Sequence, residues 1–303
     1  MYRFYLVENQ HKGGTTMTKN AKREDVKKKL SESLNYCNSH HIPAQELFES
    51  IADRTINNET CRYDAEERKR EMKSLFPILL QAETSAMIPS IPMKPDILEL
   101  DSKAFLELWL NKWISKFLSE WQSLPSDYVA NPKKTVTDEA LIHMVMDAKH
   151  AGSKERAYEW AAHHNLFMSA ENIGGNLLEE YIYSKIKPYG WIWCRGKIPT
   201  AIDFCNDECT AMFQVKNKTN TENSSGKGFR ESCGAKAWNR MKAERRNGKI
   251  ETYWPKLIEI VREGSTVDKP VPNDLVTEAD YLDFVSNTVR NNPYLISERE
   301  GDL

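Results

Sequence analysis

Two short apolar runs each hold a polar group where one is expensive. Ala201-Ile202-Asp203-Phe204 carries a carboxylate, and Ala211-Met212-Phe213-Gln214-Val215-Lys216 ends in an ammonium. An ion in apolar surroundings without a partner is strongly unfavourable, so the fold must bring the two charges together or into a polar cavity. The intervening Asn206-Asp207-Glu208 is turn-forming material. A hairpin turning at 206–209 lays one run against the other. Strand side chains alternate between faces, so Gln214 and Lys216 share one face while Phe213 and Val215 share the other. Asp203 then lies across the ladder from Gln214 and Lys216. This chain must therefore contain a sheet with a polar site on one face.

The rest of the sequence supplies helices around that sheet. Residues 23–38 are charged and amphipathic, and residues 64–74 form a charged helix that Pro77 is expected to end or kink. The clearest helix covers 102–122. There Phe105, Trp109, Trp113, Phe117 and Trp121 recur every four residues beside Leu106, Leu110, Ile114 and Leu118, and Asp101 is placed to cap it. Such a stripe is a core face. Residues 124–137 read as a connection, and 138–151 and 154–164 as further helix. After Gly174-Gly175, residues 176–187 form an amphipathic helix stopped by Pro188 and Gly190. Strand-like runs follow at 191–194, 201–204 and 211–217, suggesting a meander. A Ser/Gly/Asn-rich loop spans 219–228, residues 233–246 read as a helix, and helix signals return at 278–287. The expected organisation is a loose tail over 1–16, a helical region over 17–150 and an α/β (α+β) unit over 151–303 with a mixed sheet flanked by helices.

Composition limits what this site can do. No apolar run reaches the roughly 18 residues a membrane helix needs, and the first twenty residues show no signal-peptide core. A cytoplasmic location is expected, with the six cysteines as reduced thiols. Cys205 and Cys209 lack a second Cys/His pair at zinc-finger spacing and flank the hairpin turn instead. Adjacent histidines on a helix point about 100° apart, so neither His40-His41 nor His163-His164 suits a shared metal. The net charge of −2 excludes a polycation, yet residues 216–249 hold ten Lys or Arg against three Glu. A basic stretch of that kind can grip phosphate locally.

Carboxylates, a lysine and an amide converging on one point suit phosphodiester hydrolysis. That reaction needs a divalent cation on the phosphate, an activated water and a stabilising cation. Mg²⁺ prefers carboxylates, carbonyls and water. Asp203 and Glu179 are the candidate metal ligands, with the Val215 carbonyl as a third. Lys216 would orient or deprotonate the attacking water, or stabilise the leaving charge, and Gln214 would offer its amide oxygen or hold a metal-bound water. Glu179 is preferred to Glu180, which is expected to face solvent. Downstream of Lys216, Asn217, Lys218, Asn220, Asn223, Ser224, Ser225 and Arg230 are suited to base edges and phosphates. Lys236, Arg240, Lys242, Arg245 and Arg246 are phosphate contacts or a solvated helix face, and of these Lys236 and Arg240 join the candidate DNA-binding set.

The run Gly175-Asn-Leu-Leu-Glu179, Ile202-Asp203 and Phe213-Gln214-Val215-Lys216 resembles the PD-(D/E)XK nuclease superfamily in its variant with Gln in the middle acidic position. No proline immediately precedes Asp203, unlike in many members. The segment from Gln214 to Ser225, with Arg230, Trp238-Asn239-Arg240, Phe284-Val285 and Asn292–Ile296, is similar to the SinI-like type II restriction endonucleases over roughly 170–300. Gly226-Lys227-Gly228 interrupts the serine run typical of that stretch. The resemblance implies a homodimer that cuts double-stranded DNA with Mg²⁺ at a short palindrome of GG(A/T)CC or GGNCC type, leaving 5′-phosphates, and a cognate DNA methyltransferase as its genetic partner. A junction or repair nuclease of the same fold, and a noncatalytic DNA-binding protein whose Asp203–Lys216 is a structural ion pair, are the alternatives.

Overall fold

Asp101 caps the helix that organises the first half of the chain: its Oδ1 accepts the Ala104 N–H at 2.8 Å. The computed structural model describes residues 23–58, 63–81, 95–130, 138–149, 152–197, 201–219, 234–244 and 247–296. In chain order these form α1 (Arg23–Ser39), α2 (Ala44–Asn58), α3 (Ala65–Gln81), the single turn α4 (Pro95–Leu98) and α5 (Ser102–Glu120). After them come α6 (Glu139–Lys149), α7 (Lys154–Ile186), β1 (Trp191–Trp193), β2 (Phe204–Asn206), β3 (Met212–Lys218) and β4 (Lys236–Met241). Two helices close the order, α8 (Trp254–Glu263) and α9 (Glu278–Asn291). The architecture is mixed α and β, as the sequence predicts.

The aromatic stripe of α5 is core. Phe105, Trp109, Trp113 and Phe117 are buried, Phe48 of α2 meets Trp113 edge-on, and Phe76 of α3 stacks on Phe48 at 4.2 Å. Pro77 does not end α3, which continues to Gln81. Leu75, Phe76 and Ile78 are buried around it while Pro77 faces solvent. The Lys73 carbonyl it leaves unbonded lies on the wet side, where water can satisfy it.

The strands run in the order β1-β2-β3-β4. The first three form the expected antiparallel meander, with Trp193 opposite Phe204 and Phe204 opposite Phe213. The turn falls where expected, Cys209 donating to the Asn206 carbonyl at 2.9 Å. The second strand lies later than the 201–204 reading, at 204–206.

Two expectations are corrected. The helix expected over 233–246 gives way to a strand: 236–241 form β4, parallel to β3 with Lys216 opposite Asn239. Cation spacing suggested one solvated helix face, but Trp238 and Arg240 both point inward, the alternation of a strand. Trp238 packs on Trp254 at 5.2 Å, and Arg240 pairs with Glu278 at 2.5 Å. Secondly, Gly174-Gly175 does not open a new helix, because α7 runs unbroken for 33 residues from its Ser153 cap. Only Ala157 is buried in its first half, whereas Leu177, Leu178, Tyr181, Ile182 and Ile186 bury the second half. Gly190 stops the chain after α7 in a left-handed conformation (φ 80°).

Candidate active site

Glu179 stands where α7 enters the core, one residue after buried Leu178. Its Oε2 accepts the Trp193 indole N–H at 2.9 Å. Asp203 sits just before β2, where its N–H donates to the Phe213 carbonyl at 3.1 Å and its carbonyl accepts the Cys194 N–H at 2.8 Å. Asp203 Oδ2 accepts the Val215 N–H at 2.7 Å. That bond turns the carboxylate toward β3, as the hairpin reading requires. A residue's N–H and C=O leave a strand on the same edge. Since the Val215 N–H points to Asp203, its carbonyl faces that side too.

Burial governs the electrostatics. It pushes Glu179 up to about 8, and the nearby Asp203 charge adds to the rise. Burial also raises Asp203 to about 6, with the Val215 N–H and the Lys216 charge pulling the other way. Among the described residues neither carboxylate has an ion-pair partner within contact distance. Lys216 is close enough to favour both charges. Along β3, Phe213 and Val215 are buried while Gln214 and Lys216 are half-buried on the other face. Two half-buried carboxylates and a nearby carbonyl, with the Lys216 and Arg195 charges near them but paired to neither, form a donor set that a divalent cation fits. Among the described residues no cluster of three or more His, Cys, Asp and Glu side chains forms.

Both carboxylates line a cleft of about 390 Å³, together with Trp193, Arg195, Asn176 and, from earlier in the chain, Lys116, Glu120, Pro125 and Tyr128. Residues on both sides of position 150 thus build it. Glu180 is not solvent-facing, contrary to expectation. It is 8% exposed and holds this far wall, accepting the Ser126 N–H at 2.8 Å and the Ser126 hydroxyl at 2.6 Å. The Asn292 amide donates to the Ser126 and Tyr128 carbonyls, and Arg195 donates to the Ser123 carbonyl and the Tyr128 hydroxyl, each at 3.1 Å. Gly196 lets α5 close on the site: at φ 76°, an added Cβ would lie 3.2 Å from Glu120 Cγ and 3.5 Å from the Lys116 carbonyl.

The expected DNA-contact residues divide. Asn220, Asn223, Ser224, Ser225 and Arg230 lie outside the described residues. Asn217 Oδ1 accepts from Arg240 Nε at 2.8 Å, Lys218 reaches Glu171 at 3.3 Å, and Lys236 pairs with Glu263 at 2.5 Å. Arg240 is 8% exposed and engaged inside the protein by Glu278, Asn217 and the Tyr281 ring. Lys116, Glu120, Tyr128 and Arg195 escaped the sequence reading. Only the chain's long-range folding brings α5 to the strands, and no local spacing announces it.

Residues 116–273 match the family model for the SinI restriction endonuclease, a span that contains the whole cleft lining. The chain belongs to the SinI restriction endonuclease family. Among curated relatives, the type II restriction enzyme Eco47I of Escherichia coli is 40% identical over 119 residues, covering 38% of this chain and 51% of Eco47I. The type II restriction enzyme SinI of Salmonella infantis is 38% identical over 119 residues, covering 38% of this chain and 51% of SinI. The chain thus matches about half the length of each of these two relatives. Helices α1 to α4 precede the span that matches the SinI family.

Proposed function

We propose that this chain is a Mg²⁺-dependent type II restriction endonuclease that hydrolyses double-stranded DNA at a short palindrome of GG(A/T)CC or GGNCC type, leaving 5′-phosphates. The observation that carries this reading is the convergence of Glu179 and Asp203 in one cleft, with the Lys216 charge acting on both and no ion pair on either carboxylate among the described residues. The family match supports it. In this reading the core from residue 151 is a PD-(D/E)XK nuclease carrying the recognition loop, and the helices before it are an added layer. The protein acts as a homodimer on the two strands, and a methyltransferase reading the same sequence protects the host.

Asp203, Glu179 and the Val215 carbonyl would hold the cation. When bound it supplies charge neutralisation of the scissile phosphate and acidification of a water. The chain's own groups do the rest. The Val215 N–H fixes the rotamer of Asp203, and the Trp193 indole fixes Glu179. Gln214 and Lys216 look out from the same face of β3. The Lys216 ammonium holds the attacking oxygen in line or stabilises charge on the departing one. Asn217, Lys218, Asn220, Asn223, Ser224, Ser225, Arg230 and Lys236 contact the duplex beside this point.

Incubating the full chain with phage DNA and Mg²⁺ is the test. Discrete fragments are expected, with D203A and K216A slower by about 10²–10⁴-fold and duplex binding largely retained. Full cutting by either variant sinks the site assignment. Absence of cutting by the wild type across several divalent cations sinks the activity, and preference for branched over linear DNA would move it to a structure-specific nuclease.

A further inference from the structure

The cleft is lined by cations that the mechanism above does not use. Its cations are Lys116, from the last turns of α5, and Arg195, from the β1–β2 connection. Arg195 is 5% exposed and immobilised: Nη2 donates to the Ser123 carbonyl and the Tyr128 hydroxyl, and its Cζ lies 4.7 Å from the Trp193 ring centre. Its Nη1 is buried with no hydrogen-bond partner among the described residues. That atom is shielded from the cleft, so Arg195 acts through its fixed charge, which Glu120, Glu179 and Glu180 also feel, and not through a direct bond to a ligand. The Lys116 side chain makes no hydrogen bond or ion pair among the described residues, although Glu120 lies one turn away on the same wall. Packing against Gly196 fixes the α5 backbone at Lys116 relative to the strands.

We infer that Lys116 and Arg195 form an anion-binding wall that holds a substrate phosphate in the cleft that Asp203 and Glu179 also line. Half-buried Lys116 makes the contact, and Arg195 sets a fixed charge behind it. A polyanion approaching two carboxylates is repelled unless cations line its path, and this wall supplies them. The inference rests on the nuclease reading and assigns the end of α5 a place in the active site.

Duplex affinity measured by anisotropy against salt, in chelator, reads the wall without requiring cleavage. K116A should lower the slope of log K on log salt by about 0.9, the value for one lost phosphate contact. K116E should weaken binding further than K116A at low salt, and E120Q on the same wall should tighten it. With Mg²⁺, K116A should raise KM more than it lowers kcat. R195K, checked by circular dichroism, should weaken binding while keeping the charge, since one donor group cannot reproduce the planar fork. If R195K fails to fold, the Lys116 and Glu120 variants still decide. A slope and affinity unchanged in folded K116E overturn the inference. If the wild type cuts no DNA yet these charge variants move binding as stated, the nuclease reading fails and the anion wall stands.

Discussion

Asp203 shows how much one side chain can settle. A carboxylate in an apolar strand forced both the hairpin and the position of Lys216, and the Val215 N–H on its Oδ2 realises that demand. Its cost gives a measurable pH dependence. Asp203 and Glu179 sit at about 6 and about 8, above ordinary carboxylates, so the fold favours their neutral forms. Stability from these groups is therefore complete below the unfolded carboxylate range and is lost as pH rises through 6 and then 8. In chelator, the thermal midpoint should fall across that window, and Mg²⁺ should restore more of it at pH 8 than at pH 6. E179Q should flatten the upper part of the fall. A flat profile in chelator from pH 5 to 9 would contradict the electrostatic account. Glu180 marks where residue-scale reading stopped. Two adjacent glutamates look alike in sequence, and only the partner at Ser126, 54 positions away, reveals that the second is structural.

At the scale of elements, local pattern was reliable where one neighbour dominated. The α5 stripe, its Asp101 cap and the β1–β3 meander were all legible, because each depends on burial of one face or on a turn of a few residues. Residues 236–241 were not, since their strand identity comes from β3 on one edge and from Glu278 and Trp254 inside. The glycine pair in α7 misled for the opposite reason: the local signal was real, but the Ser153 cap and the buried second half outweigh it. A Cβ at either Gly174 or Gly175 meets nothing within 4 Å. Alanine at each should thus stabilise the protein by about 0.5–1 kcal/mol, seen as a higher denaturation midpoint at unchanged m. A loss of stability would mean that the helix is not continuous there.

At the scale of the whole molecule, a buried ionic knot joins the early helices to the second half of the chain. Arg68 of α3 is 2% exposed, pairs with Glu67 and Glu71 at 2.5 Å, donates to the Tyr183 hydroxyl at 3.1 Å and lies 3.7 Å from the centre of the Trp121 ring. Burial holds Glu71 up near 7 even with that partner. R68A should cost about 3–5 kcal/mol by stranding the acids, and E71Q added to R68A should recover part of it in urea melts. Equal losses in the single and double variants would show that packing on Trp121, not charge, carries the effect. None of this was visible beforehand, because Arg68 reads as one cation in a charged helix.

The far wall of the cleft is tied from both directions along the chain, by α5 before it and by Asn292 after it. Its chemistry is consequently not portable. Excising residues 116–273 as a cassette would cut α5 between Trp109 and Phe117, baring an aromatic core, and would discard the amide that holds Ser126 and Tyr128. Chimeras between family members should be joined inside surface connections, leaving both anchors with the same parent.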